Sequence, residues 1–268
     1  MTHLENIFAL DACLDNQQLI QNLFCGTLSY KTMCCNCKVI SERKSPYYEI
    51  EVNMKERNSV YDCLTGYLTP EDLREENQYY CQKCSSKQNA KRTIVLDRNH
   101  LPPILTVQLM RFVYDMKTWT KKKLKDAIVI NHEIELEPLL EKEDNSTSSQ
   151  KCCTHYTLVA VLNHVGLSAN VGHYTAHIRH ALPNEQGKPS WFSFDDDQVE
   201  WLDMEEHEKG SRNAYMLLYK RTDLMDNDTS VKKVEVPLDI LQTVMESNQA
   251  FQTTLSNYKK EVRNTCQI

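Results

Sequence analysis

The chain has 268 residues, of which 31 are basic and 37 acidic, giving a formal net charge of −6. That length suffices for one large domain or two small ones, and the net acidity argues against a protein that coats nucleic acid. No apolar run approaches the roughly 18 residues of a membrane span, and residues 1–18 lack the pattern of a signal peptide. We therefore expect a protein of the cytoplasm, the nucleus or both, with no membrane and no nucleic-acid partner.

Cysteine is the residue type whose number needs an explanation. The chain contains 11 cysteines, an odd number and a share of about 4%. Disulfide scaffolds carry a larger share, and without a signal peptide the setting is expected to be reducing. Most of these thiols are therefore expected to be core residues, metal ligands or nucleophiles.

The first third of the chain alternates between helical and strand patterns. Residues 5–23 have irregular apolar spacing and predict a helix with a connector. From Thr27 onward the pattern becomes typical of strands. The segment from Ser59 to Leu68 has helical spacing, with Ser59 as its cap and Pro70 after its end.

The middle of the chain is rich in strand patterns. Residues 91–115 contain two apolar runs around a Pro-Pro turn, and they predict two strands. The basic run 121–125 predicts a solvated hairpin, and the polar residues 141–151 predict a surface loop. A charged loop or short helix is expected at 200–212. Four further strand-like runs are present, at 155–165, 172–182, 190–196 and 213–221.

A change of composition after Arg221 sets the domain organisation. We predict a domain over residues 1–221, a linker over 222–236 and a helical segment over 237–268. Pro237 suits the first turn of a helix, and apolar residues then recur at helical spacing. That helix is expected to begin a longer helical region, and packing on the domain or binding a partner are the alternatives. The predicted fold class is α+β, rich in strands, with an appended C-terminal helix.

Two pairs of cysteines have the spacing of metal ligands. Cys34-x2-Cys37 and Cys81-x2-Cys84 are separated by 43 residues. Each CxxC turn presents two thiolates, and two such turns complete a tetrahedral zinc site that is closed and therefore structural. Cys35 leaves the ligand set ambiguous, and ordinary buried thiols or a redox pair are the alternatives. The pattern favours one structural zinc ion.

A histidine and an acidic run are the candidate catalytic elements. His173 opens a strand-like run, and Asp195 and Asp196 end the next one, with turn residues between them. A hairpin can place His173 beside Asp195, and a carboxylate that orients a histidine is the base half of a nucleophilic site. Zinc binding by His173 and His177 is rejected because they would stand roughly 13 Å apart on a strand. A surface histidine beside a solvated acidic turn stays an alternative.

The ordered set of motifs resembles the ubiquitin-specific protease family, which are papain-like cysteine isopeptidases. The matching segments span about residues 20–221. In chain order they are LFCGTLSYKTMCCNC, YYCQKC, LTVQLMRF, YTLVAVLNHVGLSANVGHYTAHI, WFSFDDDQV and NAYMLLYKR. The GHY box followed by the aromatic-F-D-D box is the most specific of these, and QLMRF and the cysteine pairs reinforce it.

The resemblance implies a fold and a set of roles. The fold would be a papain-like palm and fingers, mostly antiparallel, with the four cysteines holding zinc at the tip of the fingers. His173 would be the general base, Asp195 would orient it, and Asp196 would be a possible helper. Gly172 and Tyr174 would flank the channel for the C-terminal tail of ubiquitin. The implied partners are ubiquitin and ubiquitinated proteins, and the acidity of the chain suits the arginines of that tail.

One family motif has no counterpart in the chain. The family's nucleophile lies in a box of the form GLxNLGNTCYxN, and neither it nor the Gln- and Asp-rich box after it is present. Cys13, Cys25 and Cys63 lack the flanking residues of a nucleophile. We therefore expect a fragment of a thiol-dependent deubiquitinase with its thumb largely missing. The alternative is a non-catalytic ubiquitin-binding or scaffold protein, and a zinc-ribbon nucleic-acid binder is disfavoured by the charge.

Overall fold

The structure is a computed structural model that describes residues 18–117, 119–140, 152–166, 168, 171–183, 189–202, 210–225 and 237–265. The chain divides into two compact units, Met1–Asp226 and Asn227–Ile268. Cys13 and the predicted surface loop at 141–151 lie outside the described residues, as does all of the predicted first helix before residue 18. The domain boundaries predicted at 221 and 236 stay predictions.

Strands dominate the first unit, as the sequence predicts. Its described strands are β1 (Gly26–Cys34), β2 (Ile40–Tyr47), β3 (Ile50–Val52), β4 (Glu71–Leu73), β5 (Tyr79–Cys81), β6 (Ser86–Gln88), β7 (Ala90–Leu96), β8 (Ile104–Leu109), β9 (Phe112–Asp115), β10 (Thr120–Lys123), β11 (Glu133–Glu135), β12 (His155–Val165), β13 (His173–Pro183), β14 (Pro189–Asp195), β15 (Gln198–Leu202) and β16 (Ala214–Arg221). Its described α-helices are α1 (Leu19–Phe24) and α2 (Val60–Leu68), and short 3-10 turns lie at Glu75–Asn77, Arg98–His100, Glu137–Leu139 and Thr222–Leu224.

Two sheets organise this unit. An eight-stranded sheet, which we call the palm sheet, has the order β15-β14-β13-β12-β16-β8-β3, and β11 pairs with β12. Its described neighbours are antiparallel apart from the parallel pair β3 and β8. A four-stranded sheet, the fingers sheet, has the order β2-β1-β7-β4. The hairpins β5–β6 and β9–β10 complete the arrangement, so the fold is the mostly antiparallel α+β class that the sequence predicts.

Helix α2 begins at a capping box and packs one face against the core. The Ser59 side chain accepts a hydrogen bond from the Asp62 N–H, and the Asp62 carboxylate accepts one from the Ser59 N–H. This capping box satisfies two backbone donors at the start of the helix. The face it buries contains Val60, Cys63, Leu64 and Leu68. The cap that the sequence predicts at Ser59 is therefore confirmed.

Two predictions about strands are wrong in detail. The second apolar run within 91–115 forms two strands, β8 and β9, because the chain leaves the palm sheet at Met110 and Arg111. The charged segment expected to begin at residue 200 is, up to Leu202, part of strand β15. Residues 203–209 of that segment lie outside the described residues.

The break between β8 and β9 is held by a buried arginine. Arg111 is completely buried, and its guanidinium donates hydrogen bonds to four backbone carbonyls. The acceptors belong to Leu124, Asp126, Ser211 and Ala214, at distances between 2.5 and 3.1 Å. Burial lowers the pKa of Arg111 to about 10, so the group stays charged at neutral pH. The arginine of the QLMRF motif thus ties three chain segments together.

The second unit contains one long described helix, α3 (Leu238–Thr265). Its apolar stripe, predicted from residue 241 onward, includes side chains that are exposed within this structure, among them Val244 at 49% and Phe251 at 64%. Among the described residues, no helix combines the length and the apolar character that crossing a membrane requires.

We expect Arg111→Met to lower the free energy of unfolding by roughly 3 kcal/mol, because four buried carbonyls lose their donors. Urea denaturation followed by tryptophan fluorescence measures this change, since Trp191 is buried in the core. Arg111→Lys should cost less, because an ammonium still serves some of the acceptors. The exposed Arg92 offers a matched control, and Arg92→Met should change stability by no more than about 0.5 kcal/mol. Equal effects at both arginines would contradict the structural role of Arg111.

Candidate active site and metal centre

The β13–β14 hairpin brings the predicted histidine and carboxylate together. His173 begins β13 and Asp195 ends β14, and the register that pairs Ala176 with Phe194 puts both at the same end of the hairpin. The distance between His173 Nε2 and Asp195 Oδ1 is 2.5 Å. The two side chains are 45% and 53% exposed. The pair is therefore formed within the protein but lies open to a substrate.

The carboxylates change the protonation of His173. The pKa of His173 is raised above its ordinary value, chiefly because the Asp195 carboxylate accepts a hydrogen bond from the ring. Partial desolvation opposes this shift, and the negative charges of Asp195 and Asp196 add to it. Asp196 Oδ2 lies 3.9 Å from His173 Nε2, in the turn between β14 and β15, where Asp196 has a positive φ of 51°. Asp196 therefore acts on the ring through its charge, and Asp195 through a hydrogen bond.

Gly172 is needed for a close approach inside the protein. A Cβ atom at Gly172 would overlap the ring of His164 and lie 3.0 Å from the Val165 carbonyl oxygen. Gly166 meets a similar limit, since a Cβ there would lie 2.5 Å from the Val171 carbonyl oxygen. The sequence reasoning assigned Gly172 to a passing substrate backbone, and the structure supplies this further reason for a glycine. Its role at a substrate channel stays a prediction.

Tyr174 follows His173 in the chain, and its ring packs against other aromatic rings. Its side chain is 51% exposed, and its ring meets His164 edge-on with 5.0 Å between centroids. Tyr215 of β16, on the far side of β12 in the palm sheet, lies 6.2 Å from it by the same measure. Tyr174 therefore has one face supported by the protein and another available to a ligand.

The two CxxC pairs converge on one point. The Sγ atoms of Cys34, Cys37, Cys81 and Cys84 all lie within 4.8 Å of one another, so these four residues can hold a metal ion. Cys34 and Cys84 are 4.0 Å apart at sulfur, and Cys37 and Cys81 are 3.5 Å apart. The ambiguity about Cys35 is resolved by this geometry, because Cys35 is not part of the group.

Each pair lies in a tight turn between two antiparallel strands. Cys34 ends β1, and the turn leads into β2, while Cys81 ends β5, and its turn leads into β6. The residue after each pair has a positive φ, 60° at Lys38 and 51° at Ser85. That left-handed conformation lets the chain reverse its direction in a tight turn. The pattern of two hairpin turns facing each other matches the ribbon that the sequence predicts.

The pKa values of these thiols fit a site for a cation. The backbone N–H of Cys37 donates to the sulfur of Cys34 and lowers the pKa of that thiol to about 7. Burial and the neighbouring Cys37 thiol raise the pKa of Cys84 to about 12. Four thiols that share one small volume cannot all ionise unless a positive charge joins them. The donor set therefore suits a soft divalent metal ion.

The other described cysteines that the sequence raised as nucleophiles have packing environments. Cys63 is buried in the core, and burial raises its pKa to about 11. The Cys25 thiol points to the backbone oxygen of Gly26. Neither contact involves His173. A buried thiol with a raised pKa is a poor nucleophile, so Cys63 serves packing.

Two residues near the site were missed by sequence reasoning. His164 is 2% exposed and lies under Gly172 and Tyr174. Lys123, which was predicted to lie in a solvated hairpin, is buried at 4% exposure. The available signal was the glycine spacing around His164, but nothing distinguished Lys123 from its neighbours in the basic run. The prediction of a solvated run is wrong at this one residue.

Comparison with known proteins gives the chain its relatives. Residues 1–219 match the family described as ubiquitin carboxyl-terminal hydrolase. The chain is 36% identical over 272 residues to ubiquitin carboxyl-terminal hydrolase 48 of Danio rerio, which covers 91% of this chain and 24% of the relative. The protein of the same name from Gallus gallus is 34% identical, with 94% and 25% covered. The chain thus spans about a quarter of the length of these relatives.

Solved structures share the fold. The SAGA Ubp8/Sgf11/Sus1/Sgf73 DUB module bound to ubiquitin aldehyde contains a chain that matches with a TM-score of 0.66 and 24% identity, covering 82% of this chain and 47% of that one. A variant of that module bound to monoubiquitin matches with a TM-score of 0.65 and 26% identity, covering 82% and 46%. The match of residues 1–219 and the relatives at 34–36% identity show that the chain belongs to the ubiquitin carboxyl-terminal hydrolase family, as a ubiquitin-specific protease similar to ubiquitin carboxyl-terminal hydrolase 48.

Proposed function

We propose that the chain is the palm-and-fingers part of a thiol-dependent deubiquitinase, which hydrolyses peptide and isopeptide bonds at the C-terminus of ubiquitin. The observation that carries this proposal is the 2.5 Å contact between His173 and Asp195 at an exposed sheet end. Ubiquitin itself and ubiquitinated proteins are the proposed partners. The family membership and the ubiquitin-bound state of the matching DUB modules support this assignment.

We propose a separate task for each ring nitrogen of His173. Asp195 engages Nε2, so Nδ1 is the nitrogen that can take a proton from a nucleophilic thiol. The carboxylate fixes the tautomer with the proton on Nε2 and stabilises the imidazolium that forms. The same imidazolium then donates its Nδ1 proton to the leaving amine. His173 is thus the proposed general base and acid, Asp195 orients it, and Asp196 adds negative charge.

The nucleophilic thiol is proposed to come from a segment other than these 268 residues. Cys63 is buried with a raised pKa, and Cys34, Cys37, Cys81 and Cys84 form the cluster that could hold a metal ion. The family motif GLxNLGNTCYxN, which carries the nucleophile, has no counterpart in the sequence. A non-catalytic ubiquitin-binding protein is the second candidate function, and the same observation about the cysteines favours it.

Cleavage of a fluorogenic ubiquitin substrate separates these two functions. We expect the 268-residue chain alone to be nearly inert, and a longer protein that includes the NTCY-type box to cleave. In the longer protein, His173→Ala should lower kcat/KM at least about a hundredfold, because proton transfer is lost.

Asp195→Asn should also lower kcat/KM strongly, and Asp196→Asn should lower it less, because Asp196 acts on the ring through its charge alone. The exposed Asp197 is the matched control, and Asp197→Asn should leave kcat/KM unchanged. Efficient cleavage by the 268 residues would contradict the proposed source of the thiol. An active His173→Ala variant would contradict the proposed base.

A cavity between the two sheets is proposed to contact the body of ubiquitin. It has a volume of about 610 Å³ and lies where the fingers sheet meets β3. Exposed Glu49 and Glu51 line it beside aromatic rings. Acidic and aromatic groups together suit a partner that presents basic and apolar side chains. The lining residues are Leu28, Tyr30, Ser45, Pro46, Tyr47, Tyr48, Glu49, Glu51, Tyr67, Ile94 and Met110.

Charge reversal at this cavity tests ubiquitin binding without catalysis. We expect the double variant Glu49→Lys and Glu51→Lys to weaken ubiquitin binding about tenfold at low salt, with a smaller effect at high salt. NMR titration of labelled ubiquitin with the chain measures the affinity. Glu76→Lys, an exposed glutamate outside the cavity, is the matched control. An unchanged affinity in the double variant would place ubiquitin elsewhere.

The ion at the four cysteines is proposed to be one structural zinc. Zinc with four thiolates at about 2.3 Å separates neighbouring sulfurs by roughly 3.8 Å. The observed separations of 4.0 and 3.5 Å bracket that value. A closed shell of four thiolates leaves no position for water, so the ion would stabilise the fingers and take no part in hydrolysis.

Chelation should release about one zinc per chain and unfold the turns of the fingers, because the binding energy of the ion is part of the folding energy. A colorimetric zinc assay with hydrogen exchange of β1 and β5 measures both effects. The neighbouring cysteines give a matched pair of variants: Cys35→Ser should keep the metal, and Cys37→Ser should lose it. Folded protein without metal would refute the site, and metal loss in Cys35→Ser would change its ligand set.

A further inference from the structure

We propose that Lys123 is a positioning residue for His173, which sets the place of the imidazole without touching it. Lys123 ends β10 and is 4% exposed, unlike the exposed Lys122 before it. Its ammonium donates hydrogen bonds to the backbone oxygens of His164 and Gly166, at 2.5 and 3.2 Å. The Asn213 side-chain oxygen accepts a third, at 3.3 Å. Three neutral oxygens thus accept the three protons of a buried cation.

These acceptors lie at the point where the chain turns toward His173. His164 and Gly166 flank Val165, and Val165 is the direct partner of His173 in the β12–β13 register. Asn213 closes the arrangement, because its backbone oxygen accepts a hydrogen bond of 2.8 Å from the His164 N–H. Lys123 therefore holds both ends of the residue that is paired with His173.

The ring of His164 contacts the residues on either side of His173 in the chain. It lies under Gly172, where no Cβ fits, and it meets Tyr174 with 5.0 Å between ring centroids. Gly172 and Tyr174 are the two chain neighbours of His173. Burial and then the charge of Lys123 lower the pKa of His164, which favours the neutral ring, and its buried Nδ1 has no hydrogen-bond partner among the described residues. The ring therefore acts by packing under Gly172 and Tyr174, as a wedge beneath the start of β13, and not as an acid or base.

Two paired residues of the β9–β10 hairpin contact His164. Lys123 is paired with Phe112 in the hairpin register, and the Phe112 ring meets His164 edge-on at 5.0 Å. Lys123 thus holds the backbone of His164 while Phe112 holds its ring. The base of this hairpin is thus joined through His164 to the start of β13. When the Lys123 contacts are lost, His173 should spend less time within hydrogen-bond distance of Asp195.

The inference rests on the proposed function for its catalytic meaning, but its geometry can be tested on the chain as it is. The measured quantity is the pKa of His173, followed by NMR of the 13C-histidine-labelled chain and assigned with His173→Gln. We expect Lys123→Met to lower this pKa by about 0.5, because the hydrogen bond to Asp195 is formed for a smaller fraction of the time. Lys122→Met, the matched control on the same strand, should leave it unchanged.

The sign of the shift identifies the cause. The groups that raise the pKa of His173 are Asp195 and Asp196. Removing the positive charge of Lys123 can, by Coulomb interaction alone, only raise the pKa of another cationic group. A fall in Lys123→Met therefore reports lost positioning. An unchanged or raised pKa in a folded Lys123→Met protein, with the signal of buried Trp191 intact, overturns the proposal.

Two further variants keep the test decisive. If Lys123→Met does not fold, Asn213→Ala removes one of the three acceptors, and the proposal then requires a smaller fall in the pKa of His173; no fall overturns it. Asp195→Asn separates the two claims. If Asp195→Asn leaves the pKa of His173 unchanged, the proposed catalytic pair fails; if it lowers the pKa and Lys123→Met does not, the pair stands and the positioning role of Lys123 is refuted.

Discussion

Two buried cations, each surrounded by backbone oxygens, hold the first unit together where its sheet is interrupted. Arg111 serves four carbonyls, and Lys123 serves two carbonyls and a side-chain amide. A chain that leaves a sheet exposes carbonyls without partners, and a buried cation is costly unless all its protons are accepted. Here the buried cations supply donors to the free carbonyls, and the carbonyls accept the protons of the cations. Both cations lie at the ends of the β9–β10 hairpin, so this hairpin is joined to β12 and to the segment before β16.

The groups that support the candidate site are distinct from the pair that would react. The groups that hold the turn before β13 are buried, whereas His173 and Asp195 are about half exposed. An exposed pair forms a weak contact when its side chains are free to move, because solvent screens it and side-chain entropy opposes it. Strand pairing and the wedge of His164 under Gly172 restrict the motion of His173. The raised pKa of His173 comes chiefly from the hydrogen bond to Asp195, and a restrained ring favours that hydrogen bond.

The cysteine turns of the fingers lack the apolar core that stabilises the palm sheet. Strands β5 and β6 have three residues each, too short to be stable as an isolated hairpin. Their turn and the β1–β2 turn meet through the sulfurs of four cysteines rather than through an apolar core. A metal ion there would replace the missing hydrophobic burial with coordination bonds. The palm sheet has its own core, including Leu105, Val107 and Leu217, and needs no such ion.

Sequence by itself determined the strand-rich class, the cap of α2 at Ser59 and the two cysteine pairs, and it predicted the hairpin of His173 and Asp195 without its register. Each rests on local information: alternation, capping chemistry, ligand spacing and turn residues. Tertiary structure alone decided that Cys34 and not Cys35 joins the cluster, and that Lys123 is buried while Lys122 is exposed. The physical reason is that burial of a lysine depends on acceptors contributed by β12 and by Asn213, about 40 and 90 residues away. No local pattern encodes such a meeting.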